Sequence, residues 1–152
     1  MTQYVSETLL WLFVINLGIV FGAGIYEARI VVPLWASSPP KSLRSPDSGR
    51  KFWVFVTTLP LTLLSLANLV AAWQAQGTRR NWWLGAVFAV LVERLATFAY
   101  FIPTMLRLQR ATTLPTSEIK ARVSQWARLN YWRSVITLAA WLAALKAFSL
   151  PE

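Results

Sequence analysis

The sequence predicts an all-α integral membrane protein, a four-helix bundle whose helices run up, down, up and down. Of its 152 residues, 56% are hydrophobic and only 14% are charged, which is far from the composition of a soluble domain. Nine Trp, eight Phe and four Tyr are more than one small globule buries, whereas a bilayer accommodates them in its core and interfaces. Four long apolar stretches complete the pattern, and we expect residues 1–152 to form one transmembrane domain.

Two of the apolar stretches are uncharged over a length that crosses a bilayer. Leu9 to Tyr26 comprises 18 residues and Phe52 to Trp73 comprises 22, close to the roughly 20 that a spanning helix needs. The third and fourth stretches are long enough but contain internal charges. The predicted spans are residues 9–35, 52–74, 82–107 and 130–150.

The basic residues between the spans predict the orientation of the chain. Nine Lys and Arg lie in or next to the two longer connections, whereas the other side has three. The nine are Lys41, Arg44, Arg50, Lys51, Arg107, Arg110, Lys120, Arg122 and Arg128, and the three are Arg79, Arg80 and Lys146. Because Lys and Arg favour cytoplasmic loops, we expect residues 36–51 and 108–129 in the cytoplasm. The prediction is a multi-pass protein of the cell membrane with both termini outside the cytoplasm.

The two connections differ in composition. The first is rich in Ser, Pro and basic residues and is predicted to be an irregular loop. In the second, we expect Ser117 to cap a helix that begins at Glu118 and runs without Gly or Pro to Leu150. At about 1.5 Å per residue this helix would be about 48 Å long, so its first turns should project into the cytoplasm.

Composition and charge exclude several classes of function. The chain has no Cys and no His, which excludes disulfides, Cys/His zinc sites, His- or Cys-ligated haem and Ser-His-Asp triads. The net charge of +9 lies in the membrane-flanking connections and not in a nucleic-acid-binding motif. We therefore expect membrane lipid and a small lipophilic ligand as partners, no nucleic acid, and no metal or other cofactor. Oligomerisation is left open.

Polar residues recur at helical spacing in each span, which gives each helix one polar face. In lipid such faces turn towards one another, and interhelical hydrogen bonds at about 0.6 kcal/mol each explain most Ser, Thr and Asn positions. The faces comprise Asn16, Ala23 and Glu27; Thr58, Thr62, Ser65 and Asn68; Glu93, Thr97, Tyr100 and Thr104; and Asn130, Arg133 and Thr137.

Charged residues within the spans require partners or a function. Glu93 lies eleven residues after Trp82, about 16 Å below one surface and near the middle of the bilayer. A charge there costs roughly 2.5 to 3.5 kcal/mol. We expect a pair between Glu27 and Arg133, and other partners for Glu93 and its neighbour Arg94, because adjacent helix positions diverge by about 100°. A structural ion-pair network and a functional site both remain open.

Two segments carry a family resemblance. The stretch ERLATFAYFIPTMLRL from Glu93 and the stretch WARLNYWR from Trp126 resemble the anthrone-oxygenase-like family of small four-helix membrane proteins. Characterised members oxidise anthrones to anthraquinones with oxygen and without an evident metal or organic cofactor. Many members carry His where this chain has Asn130, which cannot act as a general base near neutral pH.

The residues and the resemblance together define a hypothetical site, a polar pocket between the helices for a small lipophilic molecule. In its enzymatic version, Glu93 or Glu27 removes a proton from a phenol or activated methylene, and Arg133 together with Asn130 holds the developing oxyanion. The candidate ligand-binding residues are Asn130, Tyr100, Thr97, Trp126 and Arg94. The alternative is a non-catalytic membrane partner or structural subunit whose charges meet groups on another protein.

Overall fold

The computed structural model describes residues 3–37, 49–110 and 114–150, and every regular element in these ranges is helical. The all-α prediction is therefore confirmed. The elements join into four long helices: α1 (residues 3–37), α2 (residues 50–74), α3 (residues 77–110) and α4 (Thr116–Ser149).

Three helices in the described part of the chain are long and apolar enough to cross a membrane, by length and composition. They are Gln3–Trp35, Trp53–Gln74 and Gly77–Arg110. They coincide with the first three predicted spans and extend two of them. Large apolar side chains such as Leu95, which is 70% exposed, cover their outer faces, which is typical of contact with lipid.

Each of these three helices contains a π-helical segment that ends two residues before a proline. The pairs are Glu27–Val31 with Pro33, Trp53–Thr58 with Pro60, and Thr97–Phe101 with Pro103. In each case the residue before the proline donates its N–H to the carbonyl five residues earlier. Proline has no N–H and its ring crowds the carbonyl four residues back, so the preceding turn widens by one residue. Helix α4 has no proline in its 34 residues and is regular.

The helices form a closed ring in which each packs against its neighbours in sequence and α4 returns to α1. Apolar side chains form two separate clusters along the bundle. The first includes Leu10, Phe13, Leu17, Leu61, Trp83 and Ala144. The second consists of Val32, Trp35, Phe101, Leu108, Ile119, Val123 and Trp126. Three buried charged residues, Glu27, Glu93 and Arg94, lie between these two clusters.

The beginning of α4 differs from the prediction. The helix starts at Thr116 with Pro115 as its N-cap, and no side chain caps it, so the predicted cap by Ser117 is wrong. The proline already fixes the backbone angle needed before the first turn. The first turns also pack against the ends of α1 and α3, with Ile119 only 1% exposed.

The two predicted connections are therefore described to different extents. Helix α3 continues to Arg110 and α4 begins at Thr116, so most of residues 108–129 is helical. Residues 38–48, the greater part of the predicted 36–51 loop, lie outside the described residues.

Candidate functional site

Ionisable and polar side chains from three helices meet between the two apolar clusters. We call these six residues the polar cluster: Glu27 of α1, Glu93, Arg94 and Thr97 of α3, and Asn130 and Arg133 of α4. All except Arg133 are buried, and the Arg133 side chain is only 17% exposed. The structure thus brings together six of the eight residues that the sequence singled out.

Glu93 and Arg94 pair with each other. Arg94 Nε lies 2.5 Å from Glu93 Oε2 and Arg94 Nη2 lies 2.7 Å from Glu93 Oε1, so the pair is bidentate. The expectation that these neighbours take other partners is wrong. The 100° divergence applies to the Cα–Cβ directions, whereas the long Arg side chain bends back to reach the adjacent carboxylate. Such a planar two-point contact is the strongest that Arg makes with a carboxylate.

Arg133 connects the two carboxylates of the cluster. Its Nε lies 3.7 Å from Glu93 Oε1, and its Nη2 lies 3.5 Å from Glu27 Oε2. The predicted pair between Glu27 and Arg133 is therefore present, although it is long. Asn130 Nδ2 donates to the same Glu27 oxygen at 3.3 Å. Two side chains of α4 thus hold one buried carboxylate of α1.

Threonine and aromatic groups complete the surroundings of Arg133. Thr97 Oγ1 donates to Glu93 Oε1 at 3.0 Å and accepts from Arg133 Nη1 at 3.5 Å. The guanidinium carbon of Arg133 lies 4.8 Å from the centre of the Phe101 ring, a cation–π distance. The charge of Arg133 is therefore stabilised by two carboxylates and one aromatic ring.

The π-helical segments supply part of this geometry. Glu27 and Thr97 are the first residues of two of them, and Thr57 of the third donates its hydroxyl to the Trp53 carbonyl at 2.6 Å. Short π-helical turns within α-helices occur frequently at functional sites. The presence of three such turns beside the polar cluster supports a functional role for the cluster.

The π-helical segment of α3 also explains why Tyr100 lies apart from the polar cluster. Regular spacing from Glu93 through Thr97 predicts Tyr100 on the inner face. The wide turn carries one extra residue, so Phe101 takes the inner position at 6% exposure and Tyr100 is half-buried beside it. Pro103 was the sequence signal for this shift, since a proline inside a helix disturbs the preceding turn.

Trp126 also lies outside the polar cluster, in the second apolar cluster. Its ring packs against Trp35 and Phe101, with centroid distances of 5.6 and 5.7 Å. Its indole Nε1 donates to the Phe101 carbonyl at 3.3 Å. A side chain from α4 thus satisfies a backbone group at the end of the π-helical segment, as a membrane interior requires.

A narrow crevice reaches the polar cluster between all four helices. Its volume is about 30 Å³. The ionisable lining residues are Glu93, Arg94 and Arg133, and the others are Val20, Phe21, Gly24, Trp53, Thr57, Thr58, Ser134 and Thr137. The sequence analysis missed Trp53 and Thr57, which the π-helical segment of α2 turns inwards.

Two polar atoms of the cluster retain unused hydrogen-bonding capacity. Arg94 Nη1 and Asn130 Oδ1 are buried and have no hydrogen-bond partner among the described residues. An unsatisfied buried polar atom costs about 1–3 kcal/mol, and more when the group is charged. Of these two residues, Arg94 lines the crevice, so an acceptor entering it would meet a cationic wall.

The described ranges, residues 3–37, 49–110 and 114–150, contain no group of three or more acidic, His or Cys side chains suited to a metal ion. The fold therefore defines a class, an all-helical protein with three helices apolar enough to span a membrane and a buried charged cluster between them. No family model, curated protein or solved structure matches the chain.

Proposed function

We propose that the chain is a multi-pass membrane protein that crosses the bilayer four times and holds the polar head of a small lipophilic molecule in its crevice. Helix α4 is the fourth span. Its 34 residues are about 51 Å long, more than the roughly 30 Å hydrocarbon core, so one end extends beyond the bilayer. The nine-to-three distribution of basic residues supports termini outside the cytoplasm.

The observation that carries the ligand proposal is the position of Arg94. Nε and Nη2, on one edge of its guanidinium group, donate to Glu93. Nη1 has no hydrogen-bond partner among the described residues, and the Arg94 side chain lines the crevice. A carbonyl, phenol or oxyanion oxygen placed there would complete its hydrogen bonding. Aromatic rings of Phe21 and Trp53 also line the crevice and fit an apolar or aromatic ligand.

The size of the crevice limits what enters it. Its volume of about 30 Å³ equals roughly the space of one water molecule in the liquid. It therefore admits a polar head group, and the apolar body of the ligand lies in the lipid or between the helices. Binding in which only the polar head group enters the protein suits a lipophilic molecule that arrives through the membrane.

An enzymatic version rests on Glu93, whose carboxylate lines the same crevice beside two guanidinium groups. In an oxygenase-like reaction Glu93 would remove a proton from an activated methylene, and the carbanion would be oxidised by molecular oxygen. The methylene then becomes a carbonyl with loss of one water. The hydrogen bonds that Glu93 accepts from Arg94 favour binding over this base role, so we place binding first.

The runner-up is a structural subunit whose intramembrane charges meet groups on another protein. Within the described chain Glu27, Glu93, Arg94 and Arg133 all find opposite charges. This internal pairing lessens the need for a charged partner helix and favours the ligand proposal.

The test uses a charge-balanced variant, Glu93→Gln with Arg94→Gln, in nanodiscs. Replacing a buried ion pair by neutral groups of similar size is often nearly neutral for stability, so the fold should survive. The probe is 1-hydroxyanthraquinone, whose binding is followed by absorbance after equilibrium dialysis against empty nanodiscs. The control is Leu95→Ala, which changes an adjacent side chain that points outwards.

We expect the double variant to bind the probe at least about tenfold more weakly, the loss of one hydrogen bond to a charged group, and the control to bind normally. Equal binding by all three proteins would contradict the proposal. Oxygen consumption with anthrone, measured on the same samples, tests the enzymatic version separately.

A further inference from the structure

We propose that the protein binds the head groups of anionic phospholipids at the end of the bundle where α3 finishes and α4 begins. We call the exposed cations of this surface the basic end: Arg107 and Arg110 of α3, and Lys120, Arg122 and Arg128 of α4. The basic end shares no residue with the polar cluster. The inference rests on the proposed passage of α4 through the bilayer and is independent of the ligand proposed for the crevice.

The buried sides of the two helix segments orient the basic end. Leu108 of α3 and Ile119 and Val123 of α4 are buried in the second apolar cluster. The five cations lie on the other faces of the same two helices and are exposed. Both segments therefore present positive charge outwards, while their apolar sides meet in one cluster.

Most of this charge is not neutralised within the described chain. The segments Ile102–Arg110 and 116–128 carry the five cations but only one acidic residue, Glu118. Glu118 pairs with Arg122, at 2.7 Å between Oε1 and Nη2. The other four cations form no ion pair with another described residue. The basic end is thus a surface of one sign, which attracts an anionic partner.

The exposed face of α4 changes character in the order expected of a membrane boundary. Val135 and Leu142 are exposed apolar residues. Tyr131 and Trp132 come one turn closer to the start of the helix, at 63% and 61% exposure, and Arg128 lies one turn beyond them. Spacings of three, four and seven positions place these residues on one face. Because Tyr and Trp favour the interface between hydrocarbon and water, Arg128 lies at the level of the lipid head groups.

The exposed face of α3 shows a matching order. Leu95 and Phe98 are exposed, and Ile102 follows at 37% exposure. Arg107 and Arg110 are the first cations after these apolar side chains. Two helices that run in opposite directions thus change from apolar to cationic at the same end of the bundle. Such a surface fits the acyl chains and the phosphates of one leaflet.

The chemistry of the basic end favours anionic phospholipid over an acidic protein. Arg128 lies one turn from exposed Tyr131 and Trp132, where a lipid phosphate can reach it from the side. Guanidinium groups match phosphate oxygens with two parallel hydrogen bonds. The phosphate of phosphatidylcholine is balanced by its own choline, whereas phosphatidylglycerol keeps a net negative charge. The cytoplasmic leaflet, next to which the basic end is predicted to lie, carries the anionic lipids of the membrane.

The experiment compares spin-labelled phosphatidylglycerol with spin-labelled phosphatidylcholine in phosphatidylcholine membranes that contain the protein. Electron paramagnetic resonance measures the fraction of each label that is immobilised at the protein surface. The ratio of the two association constants is the preference for the anionic lipid. The variant is Arg107→Gln with Arg128→Gln, one exposed cation from each helix. The matched control is Arg80→Gln with Lys146→Gln, which removes the same charge from the other end of the bundle.

We expect the wild type and the control to prefer phosphatidylglycerol by at least about twofold, averaged over all lipids around the protein. The Arg107→Gln, Arg128→Gln variant should lose at least about half of this excess. In 1 M NaCl the wild-type preference should fall, because charges at the surface are screened within about 3 Å. If the double variant does not fold, as judged by circular dichroism and gel filtration, the two single variants provide the comparison.

Three results would overturn the proposal. The wild type could show no preference, which would leave an acidic protein as the counterpart of the basic end. The two double variants could lose the preference equally, which would assign it to net charge alone. The Arg107→Gln, Arg128→Gln variant could keep the full preference. Cysteine labelling at the two ends of α4 measures the topology separately, so a missing preference with α4 across the membrane refutes the lipid proposal and not the four-span bundle.

Discussion

At the scale of single residues, Arg133 has the largest number of partners in the polar cluster. It contacts Glu27, Glu93 and Thr97 and lies over the ring of Phe101. In a medium of low dielectric constant a buried charge that loses its partner is strongly destabilising. The loss in free energy of unfolding when Arg133 is removed therefore measures how far the stability of the polar cluster depends on balanced charges.

Arg133→Leu should lower the free energy of unfolding by about 3–5 kcal/mol, because among the described residues it leaves Glu27 with no paired cation and Glu93 with only Arg94. Arg29→Leu should have little effect, since Arg29 is exposed and its charge lies near the edge of the apolar span. Thermal or denaturant unfolding in detergent gives the comparison.

Adding Glu27→Gln to Arg133→Leu should restore much of the lost stability, because the amide removes the orphaned negative charge while keeping the hydrogen bond to Asn130. Similar, small effects of Arg133→Leu and Arg29→Leu would contradict the ion-pair network. Failure of the second change to rescue the first would assign the loss to Glu93 instead.

Sequence reasoning predicted some of these residue contacts and missed others. Glu27 and Arg133 fall at the same level of two neighbouring helices, so their pairing follows from span boundaries alone. The Glu93–Arg94 pair does not, because it depends on side-chain torsions that helical periodicity does not describe. The crevice beside Arg94 depends on how side chains from all four helices pack against one another, and it has no sequence signature.

At the scale of elements, the three proline-linked π-helical segments set the register of α1, α2 and α3 around the polar cluster. Each wide turn adds one residue, which rotates the later residues of that helix by about 100° relative to a regular helix. The same shift places Phe101 under Arg133 in α3. The side chains before and after each π-helical segment therefore pack inwards only if the helix keeps the extra residue.

Deletion of Ala99, an exposed residue within the π-helical segment of α3, should be tolerated when Pro103 is changed to Ala. The deletion removes the extra residue, and the alanine restores the N–H and relieves the crowding, so a regular helix keeps the register on both sides. We expect an unfolding midpoint close to that of Pro103→Ala alone.

The control is deletion of Phe88 in the same Pro103→Ala background. Phe88 is 50% exposed but lies in the regular part of α3, so its loss rotates Glu93 and Arg94 away from Arg133 by about 100°. This protein should be destabilised by about 3–5 kcal/mol through the broken ion pairs. If the two deletions are equally harmful, the register argument fails.

The prolines that cause these turns are visible in the sequence, and a kink at Pro60 or Pro103 was foreseeable. The sequence does not show whether each proline widens the preceding turn. A proline inside a helix can produce a bend, a break or a wide turn, and the outcome depends on which side chains then pack inwards. Regular helical spacing therefore predicts Tyr100 on the inner face, where the structure has Phe101.

At the scale of the whole molecule, the bundle has two apolar clusters with a charged layer between them and a cavity at one end. Composition predicted the helical class and the three strongly apolar helices, because lipid imposes length and hydropathy directly. It did not predict the cavity at Arg79, since a basic residue near a turn is typical of a solvated flank. The fourth span remains a prediction because Arg133 and Lys146 reduce the apolar character of α4.

The most direct test of the account is whether α4 crosses the membrane, since only then does Arg133 lie in the bilayer with Glu27 and Glu93. The natural chain has no Cys, so single cysteines at Ser117 and Ser149, both exposed and at opposite ends of α4, report its topology. In intact cells a membrane-impermeant thiol reagent should label Ser149→Cys, and Ser117→Cys only after permeabilisation. Labelling of both positions from the same side would contradict the four-span bundle.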